Sequence, residues 1–211
     1  MQQRAISRLP EVGGDKPAKK RFKRYPIGYF HIDLAEVRTA EGKSNLFVAI
    51  DRTSKFAFVR LEKMAGKMEA AQFLRDLLQA PPYRIHTVLT DNGIQFTTRA
   101  LDSHAFAHIF DRVCSENGIE HRLTKVRHPW TNGQVEPTES HDQGSQRQTL
   151  SLRRPRPASR HLADFIDVYN HARRLKALSG LTPYEFVCKR WISEPDRFAF
   201  DPIHQMPGLN T

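Results

Sequence analysis

The sequence predicts a mixed α/β domain, one sheet with flanking helices, and three observations carry that prediction. Apolar runs of strand length follow one another from Tyr29 to Leu61 with short turn-like segments between them. A helical period over Glu69–Leu78 then gives way to another apolar run that ends at Asp91. Helix and strand patterns alternate once more before Leu123. Three strands, helix, strand, helix, strand is the order of a layered α/β unit.

Taken in order, residues 1 to about 24 hold Lys16, Lys19, Lys20, Arg21, Lys23 and Arg24 with almost no apolar periodicity. They read as a flexible basic arm or as a plain solvated linker. Tyr29–Leu34, Leu46–Asp51 and Ala57–Leu61 read as an antiparallel meander, with Glu41–Lys43 and Arg52–Lys55 as its turns. Over Glu69–Leu78, Ala70, Phe73, Leu74, Leu77 and Leu78 recur at helical spacing, and Pro81-Pro82 closes the helix. Ile85–Asp91 is a buried fourth strand ending in the turn signal Asn92-Gly93. A second helix is expected over Ala105–Glu116, stopped by Asn117-Gly118, then a short strand over Ile119–Leu123. Further helix is expected over Leu162–Arg174 and Pro183–Trp191.

The 211 residues suffice for one main domain with a sizeable core plus tails. Lys and Arg total 33 against 23 Asp and Glu, a net charge of +10, which favours an anionic partner, nucleic acid first and a membrane surface second. No apolar run is long enough to span a bilayer and the N-terminus carries no secretory signal pattern, so a soluble protein of the cytoplasm is expected. Cys114 and Cys188 lack zinc-site spacing and read as ordinary buried thiols.

Two acids stand out by position. Asp33 sits within the first strand and Asp91 at the end of the fourth, where a bare carboxylate is expensive to bury unless it is paired or bound to a cation. If those strands are neighbours, a third acid would complete an oxygen-rich set, and Glu136, after the turn-rich segment His128–Val135, is the best candidate. Such a set could hold two Mg²⁺ ions roughly 3.5 to 4 Å apart for in-line displacement at phosphorus. Structural ion pairs are the competing explanation, since 23 acidic residues offer many triples. Asp51 ends the second strand beside a turn and is assigned to turn hydrogen bonding.

His31-Ile32-Asp33, Leu89-Thr90-Asp91-Asn92-Gly93-Ile94-Gln95-Phe96 and His128-Pro129-Trp130-Thr131-Asn132-Gly133-Gln134-Val135-Glu136 together resemble the core of bacterial insertion-sequence transposases related to retroviral integrases. Leu181–Glu185 also resembles a recurrent segment of that family. The resemblance implies a ribonuclease-H-like fold with an Asp, Asp, Glu triad at Asp33, Asp91 and Glu136. It implies two Mg²⁺ or Mn²⁺ ions, with Asp33 and Asp91 both binding metal, Asp33 bridging the ions and Glu136 completing the second ion's shell. The implied activity is cleavage at transposon ends and transfer of the 3′-hydroxyl to target DNA. Multimeric action, as a homodimer or higher, and association with the bacterial nucleoid are implied in the same way. Asn92, Gly133, Gln134, Lys125 and Arg127 are candidate DNA contacts, with simple turn chemistry the rival for the first three. His128 could approach a phosphate and Trp130 could stack on a base, although structural and packing roles compete for both.

The chain departs from the family pattern in three places. The stretch from Asp91 to Glu136 is longer than in the retroviral group. After Glu136 a basic helix is expected, yet residues 137–159 lack an apolar period and contain Pro137, Gly144, Pro155 and Pro157. Residues 137–159 are therefore expected to be an aberrant, out-of-frame segment with a compensating shift near Ser159 to Arg160. A basic arm is also too short to supply a helix-turn-helix region, so weak recognition of transposon ends is expected. The domain plan is then a basic arm over 1–24, a catalytic core over 25–136, the aberrant segment over 137–159, and a helical C-terminal part over 160–211. Three functions compete: a transposase catalytic domain in a truncated or impaired copy, an inactive DNA-binding remnant, and a nuclease acting on RNA/DNA hybrids.

Overall fold

A computed structural model of the chain describes residues 25–39, 42–98, 107–124 and 158–205. Five strands form one sheet: β1 (Tyr29–Thr39), β2 (Gly42–Asp51), β3 (Ala57–Glu62), β4 (Thr87–Thr90) and β5 (Glu120–Leu123). Their spatial order is β3-β2-β1-β4-β5. The meander β1, β2, β3 is antiparallel, whereas β4 runs parallel to both β1 and β5. Parallel neighbours require crossover connections, and here these carry α1 (Lys67–Leu77) and α2 (Ile109–Glu116). Two more helices, α3 (Ala158–His171) and α4 (Pro183–Ser193), follow.

Strand alternation divides the sheet into two faces. Phe30 and Ile32 of β1, Phe47 and Ala49 of β2 and Val88 of β4 have no solvent exposure and meet α1 through Ala70, Ala71, Phe73, Leu74 and Leu77. α2 adds Phe110, Val113 and Cys114. Aromatic rings knit this layer, Phe47 to Phe73 at 5.3 Å between centroids and Phe96 to Phe110 at 5.2 Å. Each such ring, fully buried, contributes roughly 1.5–3 kcal/mol. All four residues of β4 are buried, as befits a strand with neighbours on both sides.

The ends of the helices follow from local chemistry. His108 caps α2, its side chain accepting the Phe110 N–H, so this helix starts at Ile109 rather than at the expected Ala105. Thr182 and Glu185 form a reciprocal capping box at α4, with Pro183 in the first turn. That box gives a physical reason for the Leu181–Glu185 segment. At the outer edge of β3, the buried Asn170 of α3 donates through Nδ2 to the Ala57 carbonyl at 2.8 Å and accepts the Ala57 N–H at 2.9 Å. One side-chain amide thus stands in for a further strand.

Three expectations need correction. Gly42 and Lys43 pair with Thr39 and Arg38 and belong to β2, not to a turn. β4 starts at Thr87, because the His86 and Thr87 N–H groups both turn to the Gly28 carbonyl. Cys114 is buried as expected, but Cys188 is only half-buried.

Candidate active site

Because Phe30 and Ile32 point into the core, Tyr29, His31 and Asp33 project from the opposite face of β1. On β4 the same alternation sends Val88 and Thr90 one way and Leu89 the other, with Asp91 following at the strand's end. The parallel register sets His31 beside Leu89. Asp33 lies two residues beyond His31 on β1 and Asp91 two residues beyond Leu89, just past the end of β4, and both are within electrostatic reach of the His31 ring. Each carboxylate accepts a nearby backbone N–H through Oδ1, from Leu34 and from Gly93 respectively, both at 2.9 Å. Both acids are half-buried, so desolvation alone does not demand a cation, contrary to the sequence expectation.

The fully buried carboxylate is Asp51, with no solvent exposure. It accepts the N–H groups of Gly28 and Thr53 at 2.7 Å and of Ser54 at 2.9 Å, which is the turn role expected for it. Burial nonetheless raises its pKa above the ordinary carboxylate value, against the pull of those three donors.

His31 links the acids to a cationic end of the same face. It is 6% exposed, and burial is the chief cause of its lowered pKa. Asp33 and Asp91 oppose that shift and Arg52 reinforces it, so all three lie within electrostatic reach of the ring. The Arg52 guanidinium lies 4.8 Å from the Tyr25 ring centre and 5.4 Å from that of Tyr29, and Arg122 approaches Tyr29 at 5.9 Å. Sequence reasoning missed both His31 and Arg52. A period of two counted back from Asp33 would have found His31, but Arg52 reaches this face only through the β2–β3 turn.

The segment after β4 is braced. The Thr124 N–H donates to the Thr90 carbonyl at 2.8 Å, and the Asn92 amide donates to the Thr124 carbonyl at 2.9 Å. Asn92, a candidate DNA contact, therefore has a bracing role at the exposed end of the strand. Gly93 does not adopt a left-handed backbone, but a Cβ there would lie 2.2 Å from Nε2 of the buried Gln95, which would have to move. Glu136, Lys125, Arg127, His128, Trp130, Gly133 and Gln134 lie outside the described residues.

Among the described residues no cluster of three His, Cys, Asp or Glu side chains is placed to hold a metal ion. Asp33 and Asp91 supply an oxygen-only pair, the donor type that Mg²⁺ and Mn²⁺ take, and they fit such an ion as two ligands of a larger set. Among the described residues no helix is long and apolar enough to cross a membrane.

Comparison with known proteins identifies the domain. Residues 24–129 match the protein family described as Integrase core domain. An uncharacterized protein of Caenorhabditis elegans is 30% identical over 114 residues, covering 53% of this chain and 8% of that protein. The chain thus spans a small fraction of that relative's length. Among solved structures, the catalytic core domain of BIV integrase superposes with a TM-score of 0.54 at 16% identity, covering 80% of this chain and 98% of that one. The HTLV-2 integrase catalytic core domain, solved with magnesium in a trimeric form, gives a TM-score of 0.53 at 17% identity, covering 76% and 95%.

Proposed function

The chain belongs to the integrase core domain family and has its ribonuclease-H-like fold, and from that premise we propose that it is a DNA-integrating catalytic domain of the bacterial insertion-sequence transposase type. The observation that supports the proposal is the parallel pairing of β1 with β4, the strands that lead into Asp33 and Asp91, with both acids in electrostatic reach of His31. Asp33, Asp91 and Glu136 are the triad that would hold two Mg²⁺ or Mn²⁺ ions. Such ions, when bound, activate water or a 3′-hydroxyl and neutralise charge on the leaving oxygen.

The rest falls to the protein's own groups. Asp33, on β1, and Asp91, just past the end of β4, each accept a backbone N–H that fixes the carboxylate. Burial lowers the pKa of His31, against the pull of Asp33 and Asp91, and so disfavours a positive charge beside the two acids. Arg52, at the other end of the face, supplies the cation for DNA phosphates, while Arg122 beside it is paired with Glu120, and the net charge of +10 attracts DNA at long range. Asn92, Lys125, Arg127, Gly133 and Gln134 complete the DNA contacts, and the active form is a multimer. Residues 137–159, with Pro137 and Gly144 where a helix is expected, make this an impaired copy.

The test is Mg²⁺- or Mn²⁺-dependent nicking and strand transfer on duplex DNA by the whole chain, beside a version with residues 137–159 restored to an alternate frame. Cleavage by the restored version that disappears with Asp91→Ala supports the triad and the out-of-frame account together. Cleavage by the chain as it stands removes the claim of impairment. Salt-sensitive DNA binding without nicking in either version favours an inactive remnant, and cleavage confined to RNA/DNA hybrids overturns the transposase assignment.

A further inference from the structure

Behind Asp91, on the core face of the sheet, a chain of polar side chains crosses three elements. Asp111 of α2 meets His121 of β5, Oδ1 to Nδ1, at 2.5 Å. The other ring nitrogen of His121 lies 2.8 Å from Thr90 Oγ1. Thr90 Oγ1 in turn donates to the Asp91 carbonyl at 3.0 Å. Thr90 is wholly buried and the His121 side chain is 8% exposed, so the link between them is shielded from competing water. The Phe110 ring packs on His121 at 4.9 Å and limits its tilt. The Asp111 side chain is 42% exposed and can be altered without opening the core.

We propose that Asp111, His121 and Thr90 are positioning residues: a clamp on the Asp91 peptide that holds its carboxylate toward Asp33 from the opposite face of the sheet. This rests on the assignment of Asp91 as a metal ligand. β4 ends at Thr90, and the bonds from Thr124 to the Thr90 carbonyl and from Asn92 to the Thr124 carbonyl flank Asp91, so its own carbonyl is left to the Thr90 hydroxyl. The Gly93 N–H, bonded to Asp91 Oδ1, reports on the same turn. The grip reaches from α2 through β5, so a change at Asp111 is transmitted to the carboxylate through two side chains that never touch the metal.

The test measures Mn²⁺ affinity of the full chain by calorimetry, with hydrogen exchange at the Gly93 amide as an independent readout. Thr90→Val and Asp111→Ala should weaken Mn²⁺ binding about tenfold or more, the usual scale for outer partners of metal ligands. Both should also speed exchange at Gly93 about tenfold. Thr90→Ser, which keeps the hydroxyl, should restore both values. Glu116→Ala, which removes one negative charge from the same helix, should change neither. Unchanged affinity and unchanged exchange in Thr90→Val and Asp111→Ala overturn the clamp. If the unaltered chain takes up no Mn²⁺, the metal assignment falls, and the clamp is then decided by Gly93 exchange alone.

Discussion

Replacing Asn170 by Ala tests how α3 is fastened to the sheet. The side-chain amide makes two hydrogen bonds to Ala57, both buried, one to its N–H and one to its carbonyl. Losing them leaves a donor and an acceptor of Ala57, itself 4% exposed, without those partners. Each buried polar group so stranded costs about 1–3 kcal/mol, and partial entry of water into the space left by the amide offsets some of it, so the loss should be about 2–4 kcal/mol. Asn170→Asp sharpens the test. A carboxylate can still accept the Ala57 N–H, but its second oxygen faces the Ala57 carbonyl and repels it. Protonation converts that oxygen to a donor. Urea unfolding should therefore show Asn170→Asp well below the unaltered chain at neutral pH and closer to it near pH 4, measured at each pH against the unaltered chain. Hydrogen exchange at the Ala57 amide should accelerate in Asn170→Ala. A midpoint shift equivalent to less than about 0.5 kcal/mol, with Ala57 exchange unchanged, would refute the idea that this amide closes the sheet's edge.

Gly28 has φ +98°, and a Cβ there would lie 2.3 Å from the Arg84 carbonyl oxygen. Gly28→Ala should cost about 2–4 kcal/mol in urea unfolding, and a loss under 1 kcal/mol would mean that the strand entry relaxes freely. Asp33→Asn and Asp91→Asn should abolish Mn²⁺ uptake with little change in unfolding midpoint. Asp51→Asn should do the reverse, losing about 1–3 kcal/mol of stability while Mn²⁺ affinity stays within a factor of about two; equal effects at all three positions would erase the distinction between site and turn. His31 and His86 both have pKa values lowered from 6.5, chiefly by burial, so the folded chain binds fewer protons there than the unfolded one. Their contribution to stability is present above that value and is lost as pH falls through the lowered folded values. The unfolding midpoint should drop between about pH 7.5 and 5.5, and His86→Gln should flatten part of that slope. A flat profile in the unaltered chain would contradict the burial of both rings.

How much could be read beforehand depended on what each residue's neighbours in sequence disclose. The meander and β4 were legible because Phe30, Ile32, Phe47, Ala49 and Val88 repeat at the strand period. The outer half of the β1–β2 hairpin was not, since Glu36, Arg38 and Lys43 face solvent there and leave no apolar alternation; Glu36 and Lys43 are joined instead by an ion pair of 2.7 Å. The start of α2 was missed because its cap is a histidine rather than one of the usual short polar residues. The expected site required the strands leading into Asp33 and Asp91 to be neighbours, and β1 does pair with β4. The partial exposure of the two acids was not legible, because strand position does not say how deep a side chain sits. The Asp111–His121–Thr90 chain left no sequence signal at all, since its members come from three elements brought together only by the parallel pairing of β4 with β5.

The pairing of β1 with β4 also dictates an order of events as the chain is made. The meander is built from neighbours in sequence and can close as soon as β3 has emerged, but β4 arrives only after α1 and must then insert beside β1. Until it does, β1 has one open side, and Asp33 stands on a hairpin with no second acid alongside. The surface on which the proposed site would stand is therefore finished only once β4 has docked beside β1.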